Sequence, residues 1–471
     1  MVDGDAEGLH GQGRGDPREE FAGSFTGGAL DFALPKPGKF GGLGEGEQTD
    51  AHGDRDNVPR GRLEVPASSI YHAGMISLSA AQALICQALA ARPGVALPLA
   101  EAQGCVLAEE VATSDDIPAF DRSAMDGYAV ALDELSEQFR VIGEIQPGAA
   151  PELKIGAGEC ARVFTGAVIP TGASQVIMQE QVRREGDSIV VSERGRETHI
   201  RRRGDDARAG DVLLRENTRL HAGELALLAQ LGVTRPRVRP RPRVIHFTTG
   251  NELVDPSVKP EMGEIRDSNS TLIAALLKES GAELIAQRRC GDGLRELVEV
   301  IRACGDEGWE LLLISGGASV GDYDFGVRAL RELGFIVHFE KVDLRPGKPL
   351  VFATRGTQGA FVIPGNPVSH FVCFYTAIRT ALDRLQGSAS RPPLVEVQLA
   401  AALRAQRDRR ETYWPARLVW QGSGLLAHPV QWQSSGDSTG LLGVNGLLQI
   451  LPGSGAMEVG TIVKCLLLDP R

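Results

Sequence analysis

Apolar positions along this chain change period several times, and each change marks a different kind of element. Residues 1–74 have no period. They are rich in Gly, Asp and Glu, with stretches such as GLHGQGRGDPREE. Such a segment cannot bury enough apolar surface to offset its ordering entropy, so it is predicted to be disordered. Met75 opens the first helical pattern and is an alternative start of the chain, the leader otherwise being a dispensable tail. From Ser77 to about Ala91, Leu78, Ala81, Leu84, Ile85 and Leu89 recur at helical spacing, with Ser77 or Ser79 as cap and Pro93-Gly94 as the stop. Residues 95–111 read as a short strand and a second helix.

From Ile117 the pattern turns to short alternating runs with turn signals: FRVIGEI, GECARVFTGAVIPTGASQVIMQEQV and SIVVSE. That is the pattern of a small β domain. Arg201 to Asp206 reads as a largely solvated charge run. Asp211 to Leu231 is helical again, and TRPRVRPRPR (Thr234 to Arg243) is predicted to be an extended linker. From Val244 strands and helices alternate. VIHFTTG, AELIAQRRC, ELLLIS and GFIVHFEKV are strands. Helices are predicted over 268–280, 295–304, 325–333 and 367–385. Alternation of this kind builds a doubly wound sheet. After about Ser388, LVEVQLAAAL, TYWPARLVWQ, LLAHPVQW, GLLQIL and TIVKCLLL are short strands of a further β domain. The fold class is multidomain α/β plus β. Its parts are a leader (1–74), a linker part (75–112 and 205–240), an inserted β domain (113–204), the α/β domain (241–388) and a C-terminal β domain (389–471).

The richest stretch is ELLLISGGASVGDYD, residues 310–324. Its unbroken apolar run suits a strand buried on both faces, as in a parallel sheet. Ser315, Gly316 and Gly317 follow at the edge where open α/β sheets bind ligands, and glycine backbone there can close on a phosphate. Asp322 and Asp324 could hold a metal that bridges the same phosphates. A plain strand, a glycine turn and a solvated acid pair would leave the same signal. The other predicted strand ends carry Glu252, Asp292 and Arg345-Pro346-Gly347-Lys348-Pro349, and such ends converge on one crevice. Carboxylates, a lysine and glycine amides together suit a Mg²⁺-bound pyrophosphate. Pro364-Gly365-Asn366-Pro367 reads equally as a helix-initiating turn.

Composition narrows the classes. The chain has 471 residues, of which 42% are hydrophobic and 24% charged, values ordinary for a globular protein. A net charge of −11 and a pI near 5.5 argue against nucleic-acid binding, although a pocket can differ in sign from the whole surface. No apolar run approaches the length of a membrane span. The seven cysteines are odd in number and contain no CxxC pair, the pattern of a reduced, cytoplasmic protein. Walker A, Gly-x-Ser-x-Gly and metalloprotease motifs do not occur.

The motifs PAFDRSAMDGYAV, FTGAVIPTGASQVIMQE, RRRGDD, SGGASVGDYD, RPGKP and PGNPVS together resemble those of MoeA-type molybdopterin molybdenumtransferases, a family related to the C-terminal part of gephyrin. The resemblance runs from Met75 to the C-terminus. It implies a four-part subunit: an elongated helical linker domain, an inserted β domain, a molybdenum-cofactor-biosynthesis-type α/β domain and a C-terminal β-barrel-like domain. It implies a homodimer with each active site between subunits. It also implies insertion of molybdenum from molybdate into adenylated molybdopterin with release of AMP, using Mg²⁺.

By motif position the catalytic residues would be Asp126, Thr165, Asp206, Glu252, Asp292 and Asp324. Of these, Glu252, Asp292 and Asp324 would hold the metal. Ser315, Gly316, Gly317, Asp322, Lys348, Pro364, Pro367 and Ser435 would bind substrate, with Lys348 and the glycine amides on the pyrophosphate. Asp126, Thr165 and Asp206 would come from the partner subunit, and Arg417 is a candidate for molybdate. Other cofactor-biosynthesis proteins and molybdoenzymes would be further partners; nucleic acid and membrane would not. Three positions depart from the family pattern: Asn251 stands where aspartate is usual, Arg345 where lysine is common, and Pro415 where arginine is often found. The alternatives are a molybdopterin adenylyltransferase on the same α/β fold and a gephyrin-like scaffold. Single-domain relatives perform adenylation, so the two β domains favour insertion, and intact Asp292, Asp324 and Lys348 argue against the scaffold.

Overall fold

The computed structural model describes residues 74–131, 136–150, 152–305, 308–317, 325–388, 393–422, 424–432 and 434–468. The expected disorder of the leader therefore lies outside the described residues, as do Asp322 and Asp324. The first helix, α1 (Leu78–Ala88), starts where the pattern places it: the Ser77 hydroxyl accepts from the Ala80 N–H at 3.2 Å. Its apolar stripe does not serve the linker. Leu78, Ala81 and Ile85 join Leu311, Leu313 and Phe361 in the core of the α/β domain.

The linker part is less helical than its resemblance implies. The second helix expected over 95–111 is replaced by short strands Val95–Ala96, Val106–Leu107 and Val111–Ala112 and one 3₁₀ turn, Leu99–Glu101. Gly104, at φ +75°, breaks the helical run there. The pattern over 211–231 contracts to α2 (Ala222–Gln230), because Val212–Leu214 pairs with Val111–Ala112 instead. The Arg/Pro stretch is extended as expected, but it is not a free linker. Arg237–Arg239 is the centre of a three-stranded sheet, antiparallel to Val95–Ala96 and Val106–Leu107.

The inserted domain is a six-stranded sheet with a core on each side, around Ala129, Ile145 and Val163 and around Tyr128, Phe139 and Ile177. A two-stranded ladder of Arg122–Ser123 and Ile200–Arg201 closes its base.

In the α/β domain the elements run β1 (Arg243–Thr249), α3 (Ser268–Glu279), β2 (Glu283–Cys290), α4 (Leu294–Arg302), β3 (Leu311–Ser315), α5 (Phe325–Glu332), β4 (Ile336–Phe339), β5 (Val351–Arg355), β6 (Gln358–Ile363), α6 (Pro367–Cys373) and α7 (Arg379–Gln386). A π-turn, Phe374–Ile378, joins α6 to α7, so the single helix predicted over 367–385 is continuous but locally underwound, with one extra residue in that turn. Strand order is β2-β1-β3-β6-β5-β4. The first four strands are parallel; β5 and β4 are antiparallel additions. Helices α1, α3, α6 and α7 cover one face and α4 and α5 the other, so the sheet is doubly wound. All five residues of β3 are buried, which explains its unbroken apolar run.

Arg345 to Pro349 lies between β4 and β5. β4 is antiparallel to β5 and β5 to β6, so β4 runs in the direction of β1, β3 and β6, and the loop after it lies at the edge where those strands end, as expected.

The C-terminal domain is a closed five-strand barrel of β7 (Leu394–Leu399), β8 (Glu411–Gln421), β9 (Gly424–Pro429), β10 (Gly446–Ile450) and β11 (Ile462–Leu467), ordered β8-β9-β7-β11-β10 with β10 returning to β8. Leu344–Arg345 adds in parallel to the start of β8, tying the barrel to the α/β domain.

Phe361 is fully buried on β6 and stacks on Phe352, ring centroids 4.9 Å apart. Phe361→Ala is expected to cost about 3–5 kcal/mol, read as a lower denaturant midpoint of the transition that reports on the sheet.

Candidate active site

At the crevice edge lies a cavity of about 710 Å³ lined by Thr249, Glu252, Asp292, the Ser315 to Gly317 turn and the loop from Pro364 to Pro367. Its size is that of a small-molecule site. Glycine is required at the turn: a Cβ on Gly316 (φ +91°) would lie 2.6 Å from the Thr249 carbonyl oxygen and 2.8 Å from its Oγ1. Glu252 folds back over Gly250, where a Cβ would meet Oε2 at 2.7 Å. Asn251 and Asp292 clasp each other: the Asn251 N–H donates to Asp292 Oδ2 and the Asp292 N–H to Asn251 Oδ1, both at 3.2 Å. Asparagine at 251 therefore supplies the acceptor that locks two loops without adding a second charge beside Asp292.

Two polar atoms at this cavity are buried without a hydrogen-bond partner among the described residues, Thr249 Oγ1 and Asn269 Oδ1. Asn269 Nδ2 donates to the Gly365 carbonyl at 2.7 Å, which fixes Oδ1 as the unused acceptor. Unsatisfied buried polar atoms are costly, and a ligand in the cavity would satisfy both.

A second cavity of about 360 Å³ shares Pro349, Pro364 and Asn366 with the first. Its lining is cationic: Arg345, Lys348 and Arg410, with Ser434, Ser435 and Trp432. Asp408 holds the two arginines, accepting from Arg410 Nη2 at 2.7 Å and Arg345 Nη1 at 3.3 Å. Hydrogen bonds from Arg410 keep the Asp408 carboxyl well below the usual range. The Trp432 indole N–H is buried without an acceptor, whereas that of Trp414, its edge-to-face neighbour, donates to the Val430 carbonyl at 2.9 Å. A chain of net charge −11 thus keeps a positive pocket.

The structure brings Glu252, Asp292, Ser315, Gly316, Gly317, Pro364 and Pro367 together in the first cavity. Lys348 is not with them. It lines the second cavity with Ser435, so its expected place beside the glycine amides is corrected. Arg417 lies in neither: its position on β8 points it outward, where Nε donates to the Leu442 carbonyl at 3.0 Å. Pro415 is buried in the barrel opposite Leu447, and the guanidinium of the second cavity comes from Arg410, in the loop before β8. Arg410 went unread because it sits in the charge-rich run RAQRDRRE, which carries no signal of direction. In the inserted domain, Asp126 Oδ1 accepts from the Thr165 N–H (2.7 Å) and hydroxyl (2.8 Å), and the backbone bond holds the Asp126 carboxyl below its ordinary range. Asp206 pairs with Arg201. None of these three lines either cavity.

A metal at the first cavity would find two hard oxygen donors, Glu252 and Asp292, neither of them ion-paired among the described residues. Among those residues no cluster of three or more metal-ligating side chains exists. Two carboxylates fit Mg²⁺, which binds through one or two carboxylates plus phosphate oxygens and water, better than a dedicated all-protein cage.

Comparison with known proteins divides the chain as the fold does. Residues 76–232 match the MoeA N-terminal region (domains I and II), 245–384 a probable molybdopterin binding domain, and 396–468 the MoeA C-terminal region (domain IV). The α/β domain with its two-cavity crevice is thus of the molybdenum-cofactor-biosynthesis class. A molybdopterin molybdenumtransferase of Nostoc sp. is 36% identical over 351 residues, 72% of this chain and 79% of the relative. Molybdopterin molybdenumtransferase 2 of Mycobacterium tuberculosis is 31% identical over 397 residues, 80% of this chain and 95% of the relative. The crystal structure of a Pyrococcus horikoshii molybdopterin biosynthesis moeA protein aligns with TM-score 0.70 and 28% identity, covering 84% of this chain and all of that one. The chain belongs to the molybdopterin molybdenumtransferase (MoeA) family, a family of enzymes.

Beneath the crevice, His246 and His370 are fully buried, and burial lowers their pKa values from 6.5 to about 3 and about 4. Between those values and 6.5 the unfolded chain binds protons that the native state refuses, so stability rises with pH through this window. The denaturation midpoint is expected to fall between pH 7 and pH 5, and His246→Gln with His370→Gln to flatten that fall in urea titrations at each pH.

Proposed function

We propose that this enzyme inserts molybdenum from molybdate into adenylated molybdopterin, releasing AMP. The observation that carries the reading is the pair of cavities with one shared wall, one suited to a phosphate-bearing substrate and one to an oxyanion. In the first, Gly317 of the turn offers its backbone N–H to the pyrophosphate, the Gly316 N–H being given to the Ile363 carbonyl at 2.9 Å. Glu252 and Asp292 would hold Mg²⁺, with Asp324 the third acid; bound there, the ion neutralises phosphate charge as AMP departs. Thr249 Oγ1 and Asn269 Oδ1 supply a donor and an acceptor for the organic part of the substrate. In the second cavity molybdate, a dianion, is the substrate held by Lys348, Arg345 and Arg410 with the Trp432 N–H. As the two dithiolene thiols bind the metal, their protons leave with one molybdate oxygen as water, one water hydrolyses the pyrophosphate to release AMP, and the shared wall at Pro364 and Asn366 sets the distance between the two partners.

A homodimer fits Asp126 and Thr165 of the inserted domain and Asp206 of the linker part: they line neither described cavity of their own chain and would complete the partner subunit's cleft. A cytoplasmic location fits the seven cysteines, all free thiols, and no described helix is long and apolar enough to cross a membrane.

Reconstitution with adenylated molybdopterin, Mg²⁺ and molybdate should give molybdate-dependent AMP release. Asp292→Ala should abolish it. Lys348→Ala removes a charge-assisted contact of about 1.5–3 kcal/mol and should raise the KM for molybdate by roughly ten- to a hundredfold, with little change in the KM for the adenylate. AMP release at equal rate without molybdate would reject the reading.

A further inference from the structure

Ser315, the last residue of β3, is 2% exposed, and its hydroxyl sits between two fully buried imidazoles. His246 Nε2 on β1 lies 2.7 Å away and His370 Nε2 on α6 lies 2.6 Å away. The direction of each bond follows from its far end. Gln287 Nε2 donates to the Ser270 carbonyl at 2.9 Å, which identifies it as the amide nitrogen, and its other proton points to His246 Nδ1 at 2.8 Å. His246 therefore carries its proton on Nε2 and donates to Ser315 Oγ. His370 Nδ1 faces the Asn366 carbonyl at 3.4 Å and must donate to it, which leaves Nε2 bare to accept the Ser315 hydroxyl proton. The bonds thus run one way, from Gln287 on β2 through His246, Ser315 and His370 to Asn366, with both rings neutral. Asp267, an acid close enough to act on both rings, is occupied elsewhere: its Oδ2 accepts from Thr248 and Ser270.

Two members of this chain, Ser315 at its middle and Asn366 at its end, belong to the crevice. Ser315 opens the glycine turn of the first cavity. Asn366 belongs to the wall that both cavities share, and its Nδ2 donates to Ser435 Oγ of the C-terminal domain at 2.8 Å. A fully satisfied buried polar network fixes a single arrangement more sharply than apolar packing does. Neither imidazole lines a cavity, so their role is exerted through Ser315 and Asn366.

We propose that His246 and His370 are positioning residues that, through Ser315, set the spacing between the glycine turn and the Pro364–Pro367 wall and so determine how tightly the adenylated pterin is held. The inference rests on the reading that the first cavity takes that substrate.

Calorimetry with adenylated molybdopterin in the absence of molybdate gives a Kd independent of turnover, and AMP release gives the KM for molybdate. His370→Leu should weaken the Kd at least tenfold while the KM for molybdate stays within threefold. His370→Gln, which can still accept from Ser315 and donate to Asn366, should recover the Kd to within threefold. His246→Leu serves as a second variant if His370→Leu does not fold. A His370→Leu protein with a lower Tm but wild-type Kd would overturn the inference alone, leaving the function intact. Failure of the wild-type chain to bind the adenylate would instead overturn the assignment of the cavity. Long-range ¹⁵N–¹H ring spectra of the wild-type protein give a readout free of substrate. They should contain one neutral ring protonated on Nε2, lost in His246→Gln, and one protonated on Nδ1, lost in His370→Gln. Two rings of the same tautomer would overturn the proposed chain of bonds.

Discussion

A sheet whose central strand is buried along its whole length has to be covered on both faces, and most of the architecture answers that demand. Leu311 to Ile314 leave no side for solvent. One face is closed by α4 and α5, the other by α3, α6 and α7 together with α1, which is drawn from the far end of the chain. With both faces sealed, the ends of the strands are where backbone can meet a ligand. The chemistry-bearing loops after β1, β2, β3 and β6 gather at that edge. β5 enters backwards and delivers Arg345 to Pro349 to the same place.

Charge is arranged against the average of the molecule. The whole chain is acidic, yet Arg345, Lys348 and Arg410 face one small cavity. Asp408 holds two of them in place without cancelling the third. Next door, Glu252 and Asp292 give the neighbouring cavity the opposite sign. Two adjoining pockets of opposite sign suit a reaction in which one partner arrives with a divalent cation and the other as a bare oxyanion.

Periodicity alone revealed the long elements. β3, α3 and α1 fall where the apolar spacing places them, since each is long enough for its burial pattern to show. The linker was the least legible part. Its strands are two or three residues long, too short for a two-residue alternation to repeat, and they form by pairing across the sequence, Arg237–Arg239 with partners on both sides and Val111–Ala112 with Val212–Leu214. In the site, Glu252, Asp292 and the glycine turn were readable because each follows a strand. Lys348 was readable as a functional residue but not as a member of a different cavity, since that depends on the antiparallel turn of β5. Arg410 and Trp432 come from the C-terminal domain, more than forty positions from the loops they join, and no local pattern reports such a meeting. No spacing in the sequence links His246 to His370; their meeting at Ser315 depends on the packing of α6 over the sheet.

The short parallel ladder between Leu344–Arg345 and the start of β8 makes the cationic cavity common property of two domains. Modularity therefore stops at this seam. A chain cut after α7 would retain the glycine turn, Glu252 and Asp292, and with them most of the phosphate-facing cavity, which would lose Gly436 and Ser438 from its lining. It would lose Arg410, Trp432, Ser434 and Ser435 at one stroke, leaving Arg345 without its carboxylate partner and Lys348 on an open surface. The crevice could have served many reactions on small phosphorylated molecules. The barrel fastened across its end commits it to one that also consumes an oxyanion.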